Sequence, residues 1–202
     1  DIYGALADLD LDGRLDVIVC ASDYPDNQRL RIWRQQEDGS LVDVTSWSGI
    51  DHIGAGQPAL LDYDLDGDLD VVVGQGFNRL SAAQRAGRTP RIRLFENRAA
   101  DGDRSSIVLR LQGDPSQGMN ADAIGAVVRA STTLNDERIT RVAHVVGPGG
   151  HQGKQGTLAL VFGVGPQGAD VVEVTWPDEA GTRTVLRGLA PGVHRVTPEA
   201  DD

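Results

Sequence analysis

An internal repeat constrains this chain more than any other feature. Tyr3 to Val19 reads YGALADLDLDGRLDVIV and Gln57 to Val73 reads QPALLDYDLDGDLDVVV, an ungapped displacement of 54 residues. Ala5, Leu6, Asp8, Asp10, Leu11, Asp12, Gly13, Leu15, Asp16, Val17 and Val19 all recur at the displaced positions. A looser echo follows. Arg31-Ile32-Trp33 returns as Arg93-Leu94-Phe95, displaced by 62 because the segment Gly76 to Thr89 is longer. Each unit reads as a short strand, an acidic loop, a Val-rich strand, a turn and a strand carrying an aromatic, which is a repeating β-unit.

The acidic loop has the pattern Asp-x-Asp-x-Asp-Gly-x-x-Asp, as Asp8, Asp10, Asp12, Gly13, Asp16 and again as Asp62, Asp64, Asp66, Gly67, Asp70. Alternate carboxylates in a tight turn converge on one point, and the glycine supplies the positive φ that folds the chain back. Close carboxylate pairs repel by roughly 4 kcal/mol at an effective dielectric of 20, a cost that a hard divalent cation removes. Oxygen ligands without His or Cys favour Ca²⁺ over zinc or copper, and flexible high coordination favours it over Mg²⁺. An EF-hand opens in the same way, but it needs a Glu at the twelfth position, where Val19 and Val73 stand, and flanking helices where these runs read as strands. A solvated Asp-Gly turn explains one such loop more easily than two aligned copies.

The two units resemble FG-GAP repeats, also called VCBS-type repeats, the calcium-loop blades of integrin-α-like β-propellers. The resemblance implies two Ca²⁺ sites, each held by side chains at the first, third, fifth and ninth loop positions and a backbone carbonyl at the seventh. The side chains would be Asp8, Asp10, Asp12 and Asp16 in one loop and Asp62, Asp64, Asp66 and Asp70 in the other. The carbonyls would be those of Arg14 and Asp68. Arg14 departs from the more acidic second loop, so the first site is expected to be the weaker. Two blades cannot close a ring, since propellers have about four or more, so the remaining blades are expected before Asp1.

Composition narrows the partners. Thirty acidic against 19 basic residues give a formal charge of −11, which disfavours an electrostatic nucleic-acid binder. Aromatics are only 4%, so the core must come from Val, Leu, Ile and Ala. Cys20, the single cysteine, lies in the run Val17-Ile18-Val19-Cys20 and reads as a small buried apolar residue. No apolar run approaches the roughly 20 residues that span a bilayer. The chain opens at Asp1 with no leader, in what reads as mid-strand, and is expected to be a piece of a longer protein.

Beyond Asn97 the texture changes. Arg98 to Ser106 reads as a polar linker with a turn at Asp101-Gly102-Asp103. Strand patterns follow at Ile107 to Leu111, Ala126 to Ala130, Ile139 to Val146, Leu158 to Phe162, Val171 to Trp176, Thr184 to Leu186 and Val193 to Val196. They predict a small β-sandwich or barrel. Three clusters carry a second resemblance: Asn120-Ala121-Asp122-Ala123-Ile124-Gly125-Ala126, Phe162-Gly163-Val164-Gly165 and Val172-Glu173-Val174-Thr175-Trp176-Pro177. They look like the hallmark segments of the ASPIC/UnbV domain, which follows FG-GAP repeats in proteins similar to cartilage acidic protein. Ala123 stands where that family usually has Gly, Val161 where a His is common, and Asp178-Glu179-Ala180 lengthens a turn. The Gly-rich segments read as positive-φ turns, with Trp176 and Phe162 as core aromatics.

Several motifs fail on inspection. Gly163-Val164-Gly165-Pro166-Gln167-Gly168 fits a dinucleotide fingerprint, but a strand pattern follows where a helix is required. Gly153-Lys154 lacks the first Gly and the Ser or Thr of a phosphate loop. His52, His144, His151 and His194 have no partners at metal-ligand spacing, and His151 with Lys154 reads as a hairpin tip.

The sequence therefore predicts an all-β chain. Residues 1–100 form the repeat region, in units of about 1–50 and 51–100, and 105–198 form an ASPIC/UnbV-like domain. The expected function is a calcium-binding, non-enzymatic module that is secreted, periplasmic or on the cell surface, where Ca²⁺ is abundant, and that binds a protein or glycan partner. Two competing readings are a propeller hydrolase or lyase whose catalytic residues lie in missing blades, and a structural capping domain.

Overall fold

The computed structural model describes residues 2–21, 29–50, 52–54, 56–77, 80–101, 103–134, 136–148 and 155–198. The chain is all-β, as the repeats and alternating patterns predict, with the strands of the described residues in four open sheets. It divides into two compact units, one of Asp1–Leu9, Arg14–Tyr63 and Leu69–Asn97, the other of Asp10–Gly13, Asp64–Asp68 and Arg98–Asp202. The hairpin tip carrying His151 and Lys154, and the central Gly102 of the linker turn, lie outside the described residues.

In the first unit, β1 (Ile2–Ala7), β2 (Asp16–Ala21), β3 (Leu30–Gln35) and β4 (Leu41–Asp43) form an antiparallel meander. A three-stranded sheet follows, of β5 (Ala59–Leu61), β6 (Asp70–Gly74) and β7 (Ile92–Phe95). The sequence repeat is also a repeat of register. Leu6 pairs with Val17 and Ala7 with Asp16; 54 residues on, Leu60 pairs with Val71 and Leu61 with Asp70. Val17 pairs with Trp33 and Val71 with Phe95, so the 62-residue echo marks the third strand of each sheet. The longer connection holds a one-turn helix, α1 (Ala82–Arg85), closed by a Ser81/Gln84 capping box.

Strand alternation fixes which face is buried. Ile18, Cys20, Leu30 and Ile32 point one way from the first sheet and form a core with Val71 and Val73 of the second, bordered by Leu60 and Phe95. Cys20 is fully buried there, as its apolar run predicts. His52 is buried in the same unit, edge-on to Phe95 with its ring Nε2 3.3 Å from the Gly74 carbonyl, and is a packing residue. The second sheet's counterparts of Leu30 and Ile32 are Ile92 and Leu94, which are 79% and 39% exposed. One face of this sheet is therefore apolar and open among the described residues.

The second unit is a sandwich. One sheet has the order β10 (Glu137–His144), β9 (Val127–Leu134), β12 (Ala169–Thr175), β13 (Arg183–Leu189), and the other β11 (Leu160–Val164), β8 (Ser105–Leu111), β14 (Gly192–Val196). All seven predicted strand patterns appear, with ends shifted by a few residues. Ile107, Leu109, Phe162 and Val164 form one apolar core with Val128, Val172 and Val174. Trp176 is buried with its indole N–H donated to Thr184 Oγ1 at 2.9 Å, which satisfies its one polar group. Arg141 lies 5.2 Å over the Phe162 ring.

The Gly-rich segments here are turns. Gly165 and Gly168 close the β11–β12 hairpin, so the fingerprint-like run is strand, turn, strand. At Gly168 φ is +82°, and a Cβ would stand 1.9 Å from the Leu189 carbonyl oxygen, so no other residue fits. In the first cluster, Asn120 clamps the loop. Its Nδ2 donates to the Ile124 carbonyl at 2.8 Å and its Oδ1 accepts from the Ile124 N–H at 2.7 Å. Ala123, where the resembling family usually has Gly, has φ +52° and is fully buried. The left-handed backbone explains the glycine preference.

Candidate metal centres

Each acidic loop connects the first two strands of its sheet, and the turn that gathers its carboxylates is the same in both copies. Gly13 and Gly67 have φ of +85° and +97°, the reversal their position predicts. Leu11 and Leu65 also take positive φ, +54° and +66°. A leucine there costs on the order of 1 kcal/mol, and the sequence gives no sign of it. The same strain at the same position shows that the two loops follow the same backbone path.

In the first loop, carboxylate oxygens of Asp8, Asp10 and Asp12 lie within 4.8 Å of one another; in the second, those of Asp62, Asp64 and Asp70 do. At that separation each like-charged pair repels by roughly 3–4 kcal/mol at an effective dielectric near 20. Asp8 is 1% exposed and Asp70 fully buried, so water screens these two little, whereas Asp10, Asp12 and Asp62 are half-buried and Asp64 is exposed. Both carboxylate oxygens of Asp62 are buried and, among the described residues, have no hydrogen-bond donor on them. Two bare anionic oxygens held against two further carboxylates fit a cation and fit little else. The all-oxygen donor set suits a hard divalent ion.

The ninth-position aspartates have a second task. Asp16 Oδ2 accepts the Leu9 N–H at 3.1 Å and its Oδ1 accepts the Gln35 N–H at 3.0 Å. Asp70 does the same with Tyr63, at 2.7 Å, and Asn97, at 2.8 Å. Each carboxylate thus staples the start of its loop to the end of the third strand. Asp70 also belongs to its cluster, whereas Asp16 stands outside the three gathered in the first loop.

The remaining predicted ligands are placed as follows. Asp66 is exposed, and its Oδ1 accepts the Asp68 N–H at 3.0 Å. Asp68 is fully buried, and its Oδ2 accepts the Ala100 N–H at 3.0 Å. Arg14 directs its side chain away, Nε donating to the Gln35 carbonyl at 3.3 Å, so only its backbone could serve a metal. Sequence reasoning missed Arg104, whose guanidinium is 3.3 Å from Asp10 Oδ2 and also donates to the Asp10 carbonyl. A cation already sits on the first loop, 94 residues away in sequence. It missed Asn97 as well, whose Nδ2 donates to the carbonyls of Leu9 and Leu69, one from each acidic loop.

These features define an all-β repeat protein with acidic-loop blades followed by a β-sandwich. Comparison with protein families specifies both parts: the model of the FG-GAP-like repeat matches residues 8–73 and that of ASPIC and UnbV matches 116–199. The chain therefore consists of a propeller-type FG-GAP repeat module and an ASPIC/UnbV domain, the architecture its motifs resemble. Comparison with curated proteins gives no match. Among the described residues no helix is long and apolar enough to cross a membrane.

Proposed function

We propose that this chain is a calcium-binding, non-enzymatic binding module of an exported protein, its two acidic loops each holding one Ca²⁺. Asp8, Asp10 and Asp12 would hold one ion and Asp62, Asp64 and Asp70 the other, with Asp66 and the carbonyls of Arg14 and Asp68 as further ligands the family resemblance implies, while Asp16, whose two oxygens accept backbone N–H groups, serves as the staple of the first loop. The observation that carries the reading is Asp62, whose two buried oxygens have no donor among the described residues. A bound Ca²⁺ would neutralise the cluster and fasten β5 to β6. Metal that binds only the folded state stabilises it, by about 2.7 kcal/mol at a hundredfold excess over Kd. Millimolar-affinity loops of this kind serve environments rich in Ca²⁺, which supports a secreted, periplasmic or surface location.

Asp62→Asn gives the sharpest test, because its effect should change sign. With EDTA the variant loses a repelling charge and gains amide donors toward Asp64 and Asp70, so it should melt at or above the wild-type temperature. With saturating Ca²⁺ it loses a ligand and should melt below it. A variant that melts below wild type by the same amount in both conditions would contradict the proposal.

A further inference from the structure

The outer face of the β10-β9-β12-β13 sheet is basic in a chain whose net charge is −11. The register sets it out. Val142, Arg129, Glu173 and Val185 form one row across the four strands, Thr140, Ser131, Val171 and Arg187 the next, and His144, Val127, Thr175 and Arg183 a third. Their partners of opposite parity, such as Val128, Val172 and Val174, fill the core, so these rows point outward. Arg129, Arg183 and Arg187 are exposed, and the acid among them is Glu173, 4.0 Å from Arg129. Arg138 stands at a far corner of the same face, beyond Thr133, whose hydroxyl donates to Asp170 at 2.9 Å.

We propose that this face binds an acidic polysaccharide less densely charged than a nucleic-acid duplex, with Arg129, Arg183 and Arg187 each taking one carboxylate. The inference rests on the reading of the chain as a binding module and names its partner class. Charge complementarity selects a polyanion, and spacing selects which kind. Four residues along β13 separate Arg183 from Arg187 by about 13 Å, and Arg129 lies two strands, about 10 Å, away from β13. Duplex DNA carries one charge per about 1.7 Å, far denser than this lattice, and the face has no aromatic on which a base could stack. Arginine forks carboxylates, and the Thr175 hydroxyl between the cations can exchange a hydrogen bond with a sugar hydroxyl, while those of Ser131, which is buried, and Thr140 pair with each other at 2.8 Å.

The probe is soluble polygalacturonate, titrated into the full chain at low salt, with neutral dextran, duplex DNA and anionic phospholipid vesicles as comparisons. Wild type should bind the uronate polymer, more weakly as salt rises, and not dextran. Arg183→Glu with Arg187→Glu should weaken binding by about tenfold or more, whereas Arg85→Glu with Arg88→Glu, the same charge change at two exposed positions at the end of α1 and just beyond it in the other unit, should not. If the reversed pair fails to fold by near-ultraviolet circular dichroism, Arg183→Gln with Arg187→Gln replaces it, with loss of affinity again expected. No binding by wild type, equal loss in the control pair, or tighter binding to DNA or vesicles overturns the proposal. Calcium binding is read by melting and this face by polymer affinity, so either can fail alone.

Discussion

Asp16→Asn separates the staple from the metal. The carboxylate is 2% exposed and accepts two backbone N–H groups, from Leu9 and Gln35. Hydrogen bonds to a charged acceptor contribute about 1.5–3 kcal/mol each. Asparagine keeps one acceptor and turns an NH₂ toward the other N–H, which loses one such bond and leaves a buried donor facing a donor. The combined loss is about 3 kcal/mol. For a unit of under about 100 residues that lowers the melting temperature of the repeat unit by roughly 12–24 °C. Asp16 lies outside the gathered carboxylates of the first loop. The loss should therefore be nearly the same in EDTA and in saturating Ca²⁺. Asp70→Asn, which breaks the equivalent staple and a cluster member together, should lose more in Ca²⁺ than in EDTA. Differential scanning calorimetry of both variants in both buffers reads this directly. If Asp16→Asn melts within about 2 °C of wild type, the two hydrogen bonds do not hold the loop and the reasoning fails.

Three further outcomes follow from the geometry. Arg104→Gln removes the guanidinium beside Asp10, so it should tighten metal binding at the first loop and leave the second unchanged, as read by calorimetric titration. Gly168→Ala places a methyl 1.9 Å from the Leu189 carbonyl at positive φ, and should cost about 3 kcal/mol or more in denaturant unfolding of the sandwich, or prevent folding. The hydrogen bonds from Thr182 hold the Asp178 carboxyl below the ordinary Asp value of 3.8. A lowered folded-state value contributes stability that is complete above 3.8 and disappears as pH falls through the lowered value. The melting difference between wild type and Asp178→Asn should be fully developed above pH 3.8 and vanish as pH falls through the lowered value.

Much of this architecture is legible in the residues because side-chain period and repeat spacing act together. The 54- and 62-residue displacements identify equivalent strands, and the pairings of Val17 with Trp33 and Val71 with Phe95 follow from them. In the second unit the alternating Val-rich runs mark strands because a half-buried pleat requires alternation. Other features are not legible. Leucine carries no signal for positive φ, so Leu11 and Leu65 give no warning of their conformation. Nothing in Asp-x-Asp-x-Asp-Gly-x-x-Asp tells which aspartate spends its oxygens on backbone N–H groups; that depends on where Gln35 and Asn97 arrive. Arg104 and Asn97 meet the loops through tertiary contact, which local pattern does not encode. The α1 turn had a readable signal, Ser81 with Gln84 three residues on, inside a segment read only as a long connection.

The central claim is that these loops hold calcium. Isothermal titration of the metal-stripped chain with Ca²⁺ tests it most directly. The account predicts two sites, the Asp62–Asp64–Asp70 loop the tighter, with Asp62→Asn removing that one alone. Heat no greater than dilution, or two sites untouched by Asp62→Asn, would contradict it.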